Sequence, residues 1–530
     1  MDSRPKGGLL ACVAIFFATL ALRAALLPWM PVPSPIIHDE FSYLLAADTY
    51  AHGRLANPPH LFWEHLETFQ VMQQPVYAAK YQPLQGMVLA FGEKFFQQPW
   101  IGVWLSTALM CAAVCWMLQG WISIRWAVAA SALFALRVGV LSYWMNSYEG
   151  GAVPGIGGAL AFGALPRIAR DGQWKHSITW ALGLGILALS RPYDAAVAGI
   201  ASGAILLWWL RKSMAFPAIL RQVAVPALLV FLAVGAAIAY NNLHVTGSAL
   251  TLPYVMHDGQ YAVTSMFAVL PLKPEPVYRN VVMHDFWAGW NVGQWRDARS
   301  EPFTQAVARL AMFGDFFFGF WPVTTPLFFW PSSMQPLESR LPVLLIGVFV
   351  LMILPLIGAL PHYGAAFAGI IYVRYAQNWA RLSAWRPGGR AIGPMLAAGI
   401  AVLYLGAFAN SAFGLVHHSA SPATFADQDS MSRRLAEREV EFGRVRESIA
   451  RRLAALPQKQ LVLLRYTPDH NLQNEWVYNA ADIDASRVVW ARELGPARDA
   501  AFLQYFHGRQ VWLLEPDQSP PKLTPYGEPQ

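Results

Sequence analysis

The chain has 530 residues, of which 55% are hydrophobic and only 13% charged, with a formal net charge of +7. An ordinary soluble domain carries about a quarter charged residues, so a soluble enzyme is excluded. The basic residues are scattered between apolar runs rather than gathered in a patch, which excludes a nucleic-acid surface. Cys12, Cys111 and Cys115 all fall inside apolar runs and offer neither a disulfide framework nor a metal spacing.

The apolar residues come in runs of about twenty, the length that crosses roughly 30 Å of hydrocarbon. Each crossing must close its own backbone hydrogen bonds, so these runs are expected to be helices. The first, Gly8 to Trp29, follows Arg4 and Lys6 and reads as a retained anchor rather than a cleaved signal. Further runs fall near 100–118, 126–143, 153–168, 178–190, 195–210, 223–240, 310–330, 341–360, 364–380 and 392–415. The expected fold is therefore an α-helical polytopic membrane protein with about eleven transmembrane helices. The run at 310–330 is interrupted by Asp315 and Pro322.

Lys and Arg gather in alternate short loops: Arg4 and Lys6; Arg125; Arg167, Arg170 and Lys175; Arg211, Lys212 and Arg221; Arg340; Arg381, Arg386 and Arg390. That asymmetry puts the N-terminus in the cytoplasm, and an odd helix count puts the C-terminal segment outside. Three outer segments are large enough for chemistry: about 30–99, about 241–308, and about 420 to the end. The first includes Leu84 to Phe96, an amphipathic helix expected to lie on the membrane surface.

A membrane domain is thus expected over 1–418 and a soluble α/β periplasmic domain over 419–530. Residues 428–456 have a charged amphipathic helical pattern, and the runs QLVLLRY, RVVWAR and QVWLLEP read as strands of a small parallel sheet. The tail after Asp517 is Pro-rich and reads as loose. The chain shows no repeat, no P-loop and no dinucleotide fingerprint.

The strongest chemical signal is HDEFSYLLAADTYAHGRLANP, just after the first apolar run. Its adjacent carboxylates, Asp39 and Glu40, fit either a solvated loop or a general base that deprotonates a sugar hydroxyl at the membrane surface. An outer first loop opening with Asp-Glu, with Tyr43 three residues on and then Gly-x-Leu-x-Asn-Pro, resembles the GT-C glycosyltransferase superfamily. Protein O-mannosyltransferases, the lipid A aminoarabinose transferase and galacturonosyltransferase-like membrane proteins are the nearest families. The resemblance implies a polyprenyl-phosphate sugar donor and assigns the catalytic carboxylate to Asp39. The stretch AAKYQPLQGMVLAFGEKFF resembles the family segment in which Lys or Tyr precedes Pro-Leu and a surface helix. By that match Lys80 and Tyr81 approach the donor phosphate; an interfacial anchor is the plainer reading of the lysine.

Arg191 stands at the outer end of an apolar run and fits either a phosphate contact or an ion pair with Asp194. Asn146, Tyr148 and Glu149 lie in a Gly-rich outer turn open to a sugar. His362 with Tyr363, and the pairs His257–Asp258 and His284–Asp285, are acceptor contacts or interfacial and loop-stabilising groups. Arg137 reads as one partner of a buried structural ion pair. His38, Asp39, Glu40, His60, Glu64 and His65 include metal-ligand types but no known metal spacing, and a monophosphate leaving group requires no metal, so no cofactor is expected.

The expected activity is inverting transfer of a sugar, hexosyl or pentosyl, to a glycan, lipid or protein acceptor at the outer face of the bacterial cytoplasmic membrane. Asp39 would serve as base, with Glu40 assisting. Lys80, Tyr81 and Arg191 would hold the phosphate, and Tyr43, Asn146, Glu149, His257, Asp258 and His362 would contact acceptor or sugar. The alternative is a transporter or flippase of a lipid-linked glycan, which calls for charges near the bilayer midplane and broken helices. A membrane scaffold would leave the Asp-Glu and Lys-Tyr pairs unexplained.

Overall fold

The computed structural model describes residues 7–319, 337–416 and 430–527. In chain order the longer helices are α1 (Gly7–Ala25), α2 (His38–Ala51), α3 (Pro83–Phe96), α4 (Trp100–Trp121), α5 (Ile124–Phe134), α6 (Ala152–Asp171), α7 (Trp174–Ala188) and α8 (Pro192–Ser213). They continue with α9 (Phe216–Thr246), α10 (Pro253–Tyr261), α11 (281–300), α12 (Pro302–Phe318), α13 (Leu337–Ile353), α14 (Ala368–Ala384), α15 (Ile392–Val416), α16 (Ser430–Ala454) and α17 (Pro496–Tyr505). The strands are β1 (Val71–Met72), β2 (Ala78–Ala79), β3 (Gln460–Leu464), β4 (Val488–Arg492), β5 (Gln510–Glu515) and β6 (Lys522–Pro525).

Among the described residues six helices, α1, α4, α6, α8, α9 and α15, are long and apolar enough to cross a membrane, against the eleven expected. The shortfall has local causes. The run at 126–143 yields an eleven-residue α5 that opens into a π-turn at Ala135–Val140. The run at 364–380 begins as a 3₁₀ turn, Pro361–Phe367, before α14. The run at 178–190 lies mostly in the fifteen-residue α7, and that at 341–360 gives a seventeen-residue α13. Part of the run at 310–330 lies outside the described residues, as do Arg4 and Lys6.

The chain packs as two compact units that do not follow chain order. One comprises 1–33, 103–237 and 301–433; the other comprises 34–102, 238–300 and 434–530. In the first unit, small residues let helices meet at backbone distance. A Cβ added to Gly183 of α7 would stand 2.4 Å from the Ala161 nitrogen of α6. That closeness is the packing membrane helices use when both surroundings are apolar.

The second unit gathers most of the three segments expected to lie outside. The runs read as strands form β3, β4 and β5, all mutually parallel in the order β4-β3-β5, with β6 added antiparallel at the edge. The core of this sheet is shared: Phe41, Leu45, Leu66, Val71 and Tyr77, from the 34–102 stretch, are buried with Leu461, Val462, Trp476, Val489 and Phe502. Phe41 stacks on Tyr478 at 4.4 Å, and the Asp48 carboxylate accepts from the Ala481 amide at 2.6 Å. Residues 434–530 share this core with the 34–102 stretch, while the expected division stood at 418–419. That boundary itself falls outside the described residues.

Candidate active site

Four prolines between α1 and α2 (Pro28, Pro31, Pro33 and Pro35) deny the backbone a continuous helix. Asp39 accordingly does not abut the first apolar helix; residues 26–37 intervene and a new helix, α2, starts at His38. Glu40 occupies the third position of α2 and folds back, its Oε2 accepting from the amides of Ile36 at 2.7 Å and Ile37 at 3.2 Å. This capping satisfies donors that a helix start leaves open. The two neighbouring carboxylates thus part company. Glu40 is fully buried and caps the helix, while the Asp39 side chain keeps 24% of its surface exposed.

A hairpin brings the second motif to the first. β1 and β2 pair Val71 with Ala79 and Met72 with Ala78. Just before it, Gln70 adopts a left-handed conformation (φ 61°), and its carbonyl accepts from the Ser42 hydroxyl at 2.7 Å and from the Lys80 amide at 3.2 Å. A non-glycine residue held in that region costs about 1–3 kcal/mol and persists where the surroundings over-determine it. Here it ties α2 to the strand end carrying Lys80 and Tyr81. The Tyr81 hydroxyl donates a short hydrogen bond to Asp39 Oδ1, and the Tyr81 ring stacks on Tyr43 at 4.5 Å.

Lys80 lies 3.8 Å from Asp258 Oδ1, with its ammonium 5.4 Å from the centre of the Trp287 ring. His257 is fully buried beside it. Its Nδ1 is 3.5 Å from Asp258 Oδ1, too far for a hydrogen bond of ordinary strength, and its Nε2 has no hydrogen-bond partner among the described residues. Burial pushes the imidazole down to about 4, against an ordinary 6.5, so it is neutral at neutral pH. Burial works to raise the Asp258 carboxyl, but Lys80 and His257 outweigh it and hold it below its ordinary value. Burial likewise opposes ionisation of Asp39. The neighbouring His38, the Tyr81 hydroxyl and the Lys80 ammonium more than offset it, and the carboxyl is held well below the usual range.

Asp39, Tyr43, Lys80, Tyr81, His257 and Asp258, chosen from separate stretches of sequence, therefore belong to one neighbourhood. His38, Gln70, Gln473 and Trp287 also belong to it and were not assigned a role of this kind. Only His38 carried a signal, as a neighbour of Asp39; the others are set by tertiary packing.

Arg191, Asn146, Glu149 and His362 lie in the other unit, whereas His284, in this one, has its Nδ1 2.9 Å from Asp285 Oδ1. The Tyr143 hydroxyl sits 2.9 Å from both His362 Nδ1 and the His362 amide, and His362 Nδ1 is 3.4 Å from Glu149 Oε2. Glu149 Oε1 is buried without a hydrogen-bond partner among the described residues. The Arg191 guanidinium lies 4.6 Å from the centre of the Tyr363 ring, the aromatic partner next to His362. Asn146 accepts from Arg23 Nε at 2.9 Å and donates to the carbonyls of Val140 and Ser142 at 3.1 and 2.8 Å. Arg137 donates to the carbonyls of Asp315 at 2.6 Å and Phe316 at 3.1 Å, with the Asp315 carboxylate 3.7 Å away.

Among the described residues no group of three or more His, Cys, Asp or Glu is arranged to hold a metal. His60 and His65, weighed as ligands, face Asp484 at 3.4 Å and Asp499 at 3.2 Å instead.

No family model and no curated protein matches the chain. Among solved structures it is similar to ArnT from Cupriavidus metallidurans bound to undecaprenyl phosphate, at 11% identity over 96% of this chain and 93% of that one, with a TM-score of 0.49. The apo state of the same protein aligns at 13% identity over 95% of this chain and 92% of that one, with a TM-score of 0.43. An oligosaccharyltransferase from Archaeoglobus fulgidus in the apo form aligns at 10% identity over 87% of this chain and 63% of its own length, with a TM-score of 0.45.

Proposed function

We propose that the chain is a GT-C-type glycosyltransferase that moves a sugar from a polyprenyl-phosphate donor to an acceptor hydroxyl at the outer face of the bacterial cytoplasmic membrane. The observation that carries the reading is the setting of Asp39. Its contacts with Tyr81 and His38 both fall on Oδ1, and among the described residues no hydrogen bond falls on Oδ2. A carboxylate held ionised, with one oxygen fixed and the other open, suits a proton acceptor beside a cation.

In this reading the acceptor oxygen forms its bond to the anomeric carbon as the bond from that carbon to the phosphate oxygen breaks. The electron pair leaves with the phosphate, and the acceptor proton passes to Asp39 Oδ2. A single displacement inverts the anomeric centre. A carboxylate with a depressed pKa is a weak base, but the acceptor proton becomes strongly acidic as its oxygen bonds to carbon, so a weak, well-placed base suffices. Lys80 stabilises charge growing on the departing phosphate, and Tyr43 offers a ring to the sugar. Arg191, Glu149 and His362 are substrate contacts proposed for their own unit. The acceptor, whether glycan, lipid or protein, is left open, and the chemistry calls for no cofactor.

The test is transfer from synthetic polyprenyl-phosphate sugars, hexoses and pentoses, by membranes carrying the parent or Asp39→Asn at matched abundance. Loss of a general base lowers rate by about 100- to 10,000-fold. Near-parental turnover by Asp39→Asn would remove Asp39 as base.

A further inference from the structure

His38 has no task in the reaction as described, yet it is among the most closely held side chains of the second unit. It is 8% exposed, and Phe286 and Phe69 present ring edges to it at 5.3 and 6.0 Å. Gln473 Oε1 lies 3.1 Å from Nε2, Gln70 Nε2 lies 3.1 Å from Nδ1, and Asp39 Oδ1 lies 3.3 Å from Nδ1. The opposite ends of the two amides, Gln473 Nε2 and Gln70 Oε1, are buried without hydrogen-bond partners among the described residues. The two amides each turn one atom to the same imidazole and leave the other idle.

Donor and acceptor logic narrows the state of the ring. The Gln473 amide can present either end to Nε2, whereas the Asp39 carboxylate only accepts. A bare Nδ1 would set a lone pair against the Asp39 carboxylate. A ring with its hydrogen on Nδ1 serves Asp39, and a half-turn of the Gln70 amide then brings its idle oxygen to the same proton. The imidazole and the carboxylate behave as one unit whose geometry is dictated from residues 70 and 473.

We propose that His38 is the positioning residue of this reaction: clamped by Gln473 and Gln70, it holds Asp39 by Oδ1 and so leaves Oδ2 facing the acceptor. The proposal rests on the reading of Asp39 as base. It also gives the C-terminal segment a part in the chemistry, because Gln473 lies in that segment and touches the catalytic helix through the ring.

The experiment is a cycle of His38→Ala and Asp39→Asn, single and combined, assayed with whichever polyprenyl-phosphate sugar the parent accepts. A misplaced catalytic group costs up to about 100-fold. His38→Ala is expected to lower kcat by about 10- to 100-fold, with the donor KM within about twofold, because only the transition state feels the carboxylate's aim. His38→Gln, which keeps a donor for Oδ1, should recover part of that loss. In the Asp39→Asn background His38→Ala should cost nothing more, since residues acting as one unit are non-additive. Gln473→Leu, which leaves the ring and carboxylate in place, should lower kcat about fivefold without changing KM, about 1 kcal/mol of lost grip. Equal losses from His38→Ala in both backgrounds, or a silent Gln473→Leu, overturn the proposal while leaving the base reading standing. Parental turnover by Asp39→Asn overturns both.

Discussion

Both units hold buried arginines against backbone carbonyls, but the second adds closely paired buried opposite charges. In the unit built mainly from membrane-length helices, buried or half-buried arginines are absorbed by backbone. Arg309 donates to the carbonyls of Ile353 and Leu354 at 2.9 and 2.8 Å, and Arg167 to those of Gly163 and Trp116 at 2.5 and 2.7 Å. In the unit built from the segments expected to lie outside, Arg446 and Arg509 are held the same way, but Arg492 also meets Glu475 and Lys80 meets Asp258. A carbonyl dipole satisfies a cation without fixing a countercharge, whereas paired groups share a proton balance that a substrate can tip. The pairing in the second unit is also uneven. Arg492 and Glu475 are closed on each other, while Asp39 keeps an open oxygen.

The sharpest break of this comparison is Asp39→Asn, expected to lower transfer by about 100- to 10,000-fold while leaving the melting temperature close to the parent's. A large fall in stability instead would class Asp39 with the closed pairs. Next is Arg492→Met. It strands a buried carboxylate that also accepts from the Tyr466 hydroxyl at 2.7 Å, and breaking such a pair costs about 3–5 kcal/mol. Denaturation of the detergent-purified protein should show that loss, and an unchanged melt would mean the pair is dispensable.

His257 offers a pH test of the same unit. Its folded pKa of about 4 lies below the ordinary 6.5. The unfolded chain therefore binds the proton first as pH falls. The contribution to stability is whole above pH 6.5 and is lost progressively between 6.5 and 4, amounting to about 3 kcal/mol. Asp258, Lys80, Tyr261 and Trp287 face the ring and set that balance. His257→Phe should flatten the parent's loss of melting temperature across this window; parallel curves for the two proteins would deny it.

Lys80 tests whether a paired cation is available to a ligand. Lys80→Ala is expected to weaken use of the donor by about 10- to 100-fold, the worth of a charge-assisted contact, and Lys80→Arg by less. Equal, parental transfer by both variants would make Lys80 an anchor. The smallest effect is expected from Glu40→Gln, about 1 kcal/mol of helix-start stability with turnover nearly kept. A catalytic loss from Glu40→Gln with an unaltered melt would return Glu40 to the chemistry.

Much of this was legible in the chain itself. Length and apolarity dictate the membrane-length helices, because a bilayer leaves the backbone no other partner. Short continuous apolar runs dictate β3, β4 and β5, and the amphipathic pattern at Leu84 to Phe96 dictates α3. The Asp-Glu and Lys-Tyr motifs were visible as residue types, since carboxylates beside a cation and a phenol suggest proton and phosphate chemistry wherever they stand. What sequence did not decide is which atoms meet. Whether Glu40 caps a helix or Asp39 faces outward depends on where α2 starts, and that follows from the prolines and from packing against β1, β2 and α3. The π-turn at Arg137 and the 3₁₀ turn at His362 broke runs that hydropathy reads as continuous, because hydropathy is blind to a side chain's long-range carbonyl partners. Gln70 and Gln473 are two ordinary glutamines until the fold closes 435 residues between His38 and Gln473. Local propensity acts within a few residues, and the loop closure that joins such distant groups is settled only by the shared core of the unit.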